Sequence, residues 1–229
     1  MSFGPIAATV ILMSDEVKTR RRYESALRRE QSSLTRERIV DAATRLFTRD
    51  GYAAVSVGRI AAEAGVAVDT LYALVGRKPA LLREVVEVAI SGGPGPVPAD
   101  ERAYVRRVRE APTAEEKLRI YAQGVAEMSP RTGPVFTALR DAGRLDAECA
   151  ALDREIADRR AANMLRFAAD LRSTGQLRAD LSDAFVADVV WATAGALHYT
   201  ELAVGRGWTA AEFGDYLIET WSRLLLAPA

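Results

Sequence analysis

Almost nothing in this sequence alternates apolar and polar residues with period two, whereas apolar residues recur at helical spacing from end to end. Such a chain cannot supply the alternating faces of a half-buried sheet, so the fold class it admits is all-α. Its 229 residues suffice for one large or two modest domains with a sizeable core. Glycine and proline cut the pattern into segments. "TRERIVDAATRLFTRDGY" opens on Thr35 as predicted N-cap, sets Ile39, Ala43, Leu46 and Phe47 on one face, and stops at Gly51. A second helix is predicted from Ser56, whose hydroxyl caps it, to about Ala64, and a third from about Ala67 to Leu74. A fourth begins near Lys78-Pro79, where a proline in the first turn loses no hydrogen bond. "SGGPGPVPAD" (Ser91–Asp100) is the clearest break and reads as a loop within the second half. Beyond it, helices are predicted at about 100–110, 114–128, 134–143, 146–174, 182–205 and 209–226. Their breaks fall at Pro112, Pro130 to Pro134, Gly175 and Gly205-Arg206-Gly207.

Charge adds a direction to this pattern. Residues 1–83 carry 14 Lys/Arg against 9 Asp/Glu, and residues 84–229 carry 17 against 22, although the whole is neutral. A basic front and an acidic rear suggest that the front meets a polyanion. The single cysteine, Cys149, excludes an internal disulfide framework and suits a reducing cytoplasm. Cys149 and the single histidine, His198, are too isolated to serve as metal ligands, and no cofactor is implied. No apolar run approaches the roughly 20 residues that span a bilayer, so no membrane partner is expected. "PIAATVILM" (Pro5–Met13) lacks the flanks of a secretion signal and reads as a loosely packed or disordered extension, with Met13 as an alternative start.

The stretch "GVAVDTLYALVGRKPALL", residues 65–82, carries the chemistry. Ala61 lies four residues before Gly65 and Leu71 six after it, with Ile60, Val66 and Leu74 at the apolar positions between. That is the spacing of a helix-turn-helix: a small residue at 61 lets the helices approach, and glycine at 65 accepts a left-handed turn. An ordinary helical hairpin in a core has the same Ala-x-x-x-Gly spacing.

The wider stretch "IVDAATRLFTRDGYAAVSVGRIAAEAGVAVDTLYALVGRKPALL" is denser in signal. Residues 35–82 resemble the DNA-binding domain of the TetR family of bacterial transcriptional regulators. The likeness is carried by Ile39 to Phe47, by Gly51, Tyr52 and Ser56, by Ile60-Ala61, Ala64-Gly65-Val66 and Thr70-Leu71-Tyr72, and by Lys78 with Leu81-Leu82. Val75 stands where the family commonly has phenylalanine, Ala73 where it has a large polar or aromatic residue, and Asp69 puts an acid on the third helix. The resemblance implies a three-helix DNA-binding domain at 34–83, a larger helical ligand-binding and dimerisation domain at 84–229, and a flexible, partly basic extension at 1–33.

On DNA, phosphate contacts set register and base-edge contacts read sequence. Ser56 and Ala67 stand at or near helix N-termini, which favour phosphate. By resemblance the Thr70 and Tyr72 hydroxyls approach the backbone and Lys78 clasps a phosphate. Arg59 suits a guanine or a flanking phosphate, Val68 a thymine methyl and Asp69 a cytosine amine. Each has a structural alternative: Ser56 as a cap, Tyr72 as a wedge between helices, Asp69 as a solvated residue. "KTRRRYESALRREQ" (Lys18–Gln31) reads either as a minor-groove arm or as a solvated helix with Glu24 and Arg28 at i,i+4.

In the second half, Phe213, Leu217, Trp221 and Leu224 form an apolar stripe. The resemblance implies that it pairs with its copy in a homodimer; an intramolecular core demands the same stripe. Tyr121, Met128, Asn163, Met164, Phe167, Trp191 and His198 suit the wall of a cavity for an unidentified small-molecule effector, and equally plain core packing. The function implied is a sequence-specific regulator, a repressor released from a palindromic operator by its effector, and not an enzyme. An all-α enzyme is opposed by the lone histidine, the lack of a glycine-rich phosphate loop and the lack of a carboxylate–histidine iron motif. A helical protein–protein module without DNA contact is the other alternative.

Overall fold

Helix starts in this chain are set by side chains that accept otherwise unpaired backbone N–H groups. In the computed structural model, Ser56 Oγ accepts from Arg59 N, Thr113 from Glu116, Asp146 from Glu148 and Cys149, and Ser182 from Phe185. Thr209 and Glu212 form a reciprocal capping box. The structure describes residues 7–93, 95, 97–98 and 101–228, with side chains from Leu27 onward. Among these residues the helices are α1 (Ala7–Asp50), α2 (Val57–Ala64), α3 (Val68–Leu74), α4 (Lys78–Ser91), α5 (Ala103–Glu110), α6 (Ala114–Gly143), α7 (Ala147–Ser173), α8 (Asp183–Thr193), α9 (Ala196–Arg206) and α10 (Ala210–Leu225). They carry no strand beyond an isolated bridge between Leu177 and Leu226.

Three boundaries differ from expectation. Thr35 is not an N-cap: its Oγ1 donates to Gln31 O at 2.8 Å, a bond made inside a helix, and α1 runs through it from Ala7. The segment Lys18–Gln31 therefore has a helical backbone, as does Ala7–Met13, while Pro5 and Ile6 and the Glu24 side chain lie outside the described residues. The helices predicted at 114–128 and 134–143 are one helix, α6, with Pro130 and Pro134 inside it. Both prolines lie on the exposed side, where water can reach the carbonyls left without donors, while the opposite face is buried by surrounding helices. The helix predicted at 182–205 is two, α8 and α9. Gly195 breaks it with an extended backbone (ψ 139°) as N-cap of α9, and Thr193 Oγ1 at the end of α8 accepts the Trp221 indole N–H at 2.8 Å.

α6 is the axis of the fold, packing on α1, α4, α5, α7, α9 and α10. Glycine permits its closest approaches: a Cβ at Gly124 would stand 2.7 Å from the Tyr104 ring, and one at Gly133 2.8 Å from Thr200 Oγ1. Two buried clusters result. One joins α1–α4 to the end of α6 and start of α7, through Val135, Leu139, Leu152 and Ile156. The other joins α5, the first half of α6, the second half of α7, and α8–α10.

The stripe on α10 belongs to the second cluster. Phe213, Leu217 and Trp221 have no exposed surface and are spent against the chain's own helices, so they are not available to a partner; only Leu224, at 36% exposure, faces outward. This corrects the expectation of a dimer seam through these residues. Leu217→Ala should lower unfolding free energy by about 2–5 kcal/mol in denaturant titrations, as for a buried leucine. Leu224→Ala should cost less than about 1 kcal/mol. Equal small effects of the two would show that the stripe is not core.

Candidate nucleic-acid interface and adjoining cavity

Between α2 and α3 the chain turns on Gly65, whose φ of +66° is left-handed. The turn is closed by Val66 N–H donating to Ala61 O at 2.9 Å and by Gly65 N–H donating to Ala62 O at 3.1 Å. Ala61 is buried, and Leu71 and Val75 anchor α3 on the core of α1 and α4. Val75 thus fills its position without the larger ring. Arg38 on α1 donates to Ala64 O at 2.8 Å and to Gly65 O at 3.3 Å, capping the C-terminus of α2. Sequence reading missed this residue; a basic side chain on α1 gives no local sign of which helix end it will reach.

With its inner face committed, α3 turns its other residues out. Ala67, Val68, Asp69, Thr70, Tyr72 and Ala73 are all exposed, Tyr72 at 47%, so Tyr72 is not a wedge between helices. Ser56 is exposed as well as a cap. Arg59 is exposed but tethered, its Nη2 standing 2.7 Å from Asp50 Oδ2. Asp50 is held below the usual carboxylate range chiefly by Arg49 and further by Arg59, so it stays an anion beside both.

Lys78 departs most from expectation. Its Nζ donates to Tyr52 O and lies 4.0 Å from the centre of the Tyr52 ring, and desolvation pushes its pKa down. Tyr52 in turn donates from its hydroxyl to Asp146, the cap of α7, at 3.3 Å. Lys78 is therefore an internal tie, with further ammonium N–H groups left for an external anion. Three ion pairs continue along α4 to α7: Arg77–Glu148 at 2.8 Å, Arg83–Glu155 at 3.0 Å and Glu87–Arg159 at 3.8 Å. Exposed pairs of this kind add little stability. They do fix which residues of α4 face α7.

The far end of α4 reaches a cavity of about 1120 Å³, to which Glu87 and Ile90 contribute. Tyr121, Met128, Asn163, Met164, Phe167, Trp191 and His198 all line it. The Tyr121 ring lies 4.8 Å from that of Phe167 and 6.1 Å from that of Tyr104, and its hydroxyl donates to Met164 Sδ at 3.4 Å. Burial pushes that hydroxyl far above its ordinary pKa, so it remains a neutral donor. His198 is stacked on Tyr216 and shares a 3.3 Å hydrogen bond with its hydroxyl. Sequence reading missed Arg160, also in the wall. The signal was present, since Ile156, Arg160, Asn163, Met164 and Phe167 share one face of α7 and a lone arginine interrupts that stripe.

Among the described residues no cluster of metal-ligating side chains occurs, and no helix is long and apolar enough to cross a membrane. Residues 39–85 match the family model described as bacterial regulatory proteins, tetR family. Curated protein sequences show no significant match to the chain. Solved structures with a similar fold include a protein described as a transcriptional regulator from Saccharomonospora viridis, in complex with choline. It is 20% identical, with a TM-score of 0.65, covering 86% of this chain and 100% of its own. NalD, the secondary repressor of the MexAB-OprM multidrug efflux pump in Pseudomonas aeruginosa, is 17% identical with a TM-score of 0.66 and coverage of 86% and 98%. The transcriptional regulator FadR from Bacillus subtilis, in complex with stearoyl-CoA, is 19% identical with a TM-score of 0.64 and coverage of 80% and 95%.

Lys78→Ala should act in two ways that separate by measurement. Loss of the tie to Tyr52 should lower the melting temperature. Loss of a phosphate contact should reduce the slope of log K against log salt by about 0.9 per half-site, at temperatures where the variant is fully folded. An unchanged salt slope with a lowered melting temperature would reduce Lys78 to a structural tie.

Proposed function

Residues 39–85 belong to the TetR family of bacterial regulatory proteins, and from that premise we propose that the chain is a dimeric, sequence-specific repressor released from operator DNA by a small molecule. The observation that carries this reading is the exposed, otherwise unpartnered outer face of α3 beside Lys78. Val68 and Asp69 read base edges in the major groove, and Thr70 and Tyr72 bond phosphates. The N-termini of α2 and α3, at Ser56 and Ala67, add phosphate contacts, and Arg59 and Lys78 flank them. The protein acts in the cytoplasm, where its operator lies. The chain divides functionally into an extension (1–33), a reading domain (34–83) and an effector and dimer domain (84–229). No catalytic role is assigned to any residue.

α4 supplies the coupling. It starts at Lys78, among the DNA contacts, and ends with Glu87 and Ile90 in the cavity wall. Two recognition helices of a dimer must sit about 34–36 Å apart to enter successive major grooves. An effector better accommodated when α4 swings moves each α3 by a few ångströms and breaks simultaneous contact. This coupling is reciprocal, so a tenfold loss of DNA affinity on effector binding requires a tenfold loss of effector affinity on the operator. Calorimetric titration of an effector into free protein and into the complex checks it; equal affinities reject that molecule as inducer.

The dimer surface falls on the outward face of α8 together with the exposed edge of α10. Phe185 (45% exposed), Trp191 and Leu224 remain uncovered there. Phe185→Glu should dissociate the dimer by light scattering at micromolar concentration and abolish operator retention, with the melting curve of the monomer little changed. Selection of bound genomic fragments tests the reading as a whole, since only a sequence-specific regulator enriches a palindromic site in a salt-sensitive manner.

A further inference from the structure

The cavity wall is unevenly charged. Arg102, Arg109, Arg140, Arg159, Arg160 and Arg166 line it against Glu87, Asp153 and Asp170. Two of those carboxylates are already engaged, Glu87 with Arg159 at 3.8 Å and Asp170 with Lys117 at 2.9 Å. Arg160 has no carboxylate within ion-pair distance among the described residues. Its guanidinium donates to Trp191 O and lies 5.2 Å from the centre of the Trp191 ring, contacts that leave its charge uncompensated. Among the described residues Arg102 likewise has no carboxylate within ion-pair distance. One of its terminal nitrogens donates to Val97 O at 3.3 Å, and its Nε is buried with no partner. Both arginines line the same cavity as Tyr121, and both charges act on its hydroxyl against the upward push of burial. The surrounding wall is apolar, with Val125, Met128, Met164 and Phe167.

A guanidinium withdrawn from water is costly without an anion, and a buried polar atom without a partner needs an account. An anionic group between Arg160 and Arg102 supplies both, because a guanidinium fork matches a carboxylate, phosphate or sulfonate oxygen pair. We propose that the effector is an amphiphilic anion, its head held by Arg160 and Arg102 with the Tyr121 hydroxyl nearby and its apolar body laid against Met128 and Phe167. This rests on the effector reading above and narrows it to a chemical class.

Two fluorescent probes of one skeleton test it: 8-anilinonaphthalene-1-sulfonate, which is anionic, and N-phenyl-1-naphthylamine, which is neutral. The full chain should bind the sulfonate at least tenfold more tightly than the amine. Arg160→Met and Arg102→Gln should each lower sulfonate affinity about tenfold and leave the amine unchanged. If Arg160→Met fails to fold by circular dichroism, Arg102→Gln carries the test. Decanoate or decyl phosphate should displace the sulfonate where decanol does not, the better competitor identifying the head. Ala157→Trp, which fills the cavity, should abolish binding of both probes; persistence of both would place them elsewhere and overturn the proposal. Equal affinity for the two probes in the wild type, both lost in Ala157→Trp, overturns the anionic class and leaves the effector cavity standing. Failure of both probes to bind overturns the cavity reading as well.

Discussion

The passage of α6 through both buried clusters is the constraint on which the other parts depend. A helix contacted by six others keeps only one exposed strip, so its remaining residues are chosen by its neighbours and not by local propensity. That is why two prolines survive inside it, on the exposed side, and why Gly124 and Gly133 stand where a methyl would strike Tyr104 or Thr200. Remove that axis and the reading helices, the cavity and α10 lose their common support.

The same geometry supports the proposed coupling role of α4. Its buried side is held in the first cluster by Leu81, Leu82, Val85 and Val86, and its polar side faces α7 through Arg77, Arg83 and Glu87. The tie from Lys78 through Tyr52 to Asp146 joins the start of α4 to the cap of α7. In the proposed coupling, a displacement at the cavity end of α4 is carried along a packed helix to the short Val75–Arg77 connection with α3. Close-packed interiors transmit strain instead of absorbing it.

Charge in the cavity follows from a different constraint. On α7, Arg159 finds a carboxylate on α4, Glu87, whereas its neighbour Arg160 finds only the Trp191 carbonyl and π-face. One helix thus presents two kinds of arginine, distinguished only by what the fold sets opposite them.

What was legible in the sequence was local: the cap at Ser56, the left-handed glycine at 65, the small residue at 61 and the proline opening α4. Each of these acts within about one helical turn, so its partner is adjacent in the chain. The cavity residues were legible as a class too, because methionines and aromatics with scattered polar atoms mark an irregular wall. Tertiary structure decided the rest. Whether Thr35 caps a helix or lies within one depends on what precedes it, and whether Pro130 ends a helix depends on how much the opposite face buries. Phe213, Leu217 and Trp221 share a periodicity that is identical for an intramolecular seam and a dimer seam; only the position of α6 tells them apart. Lys78 and Arg160 have the same composition on paper as any exposed cation, and their roles came from Tyr52 and Trp191, 26 and 31 residues away in the chain. A sequence records the spacing of residues along one helix, and it takes the packing of several to determine what each of them meets.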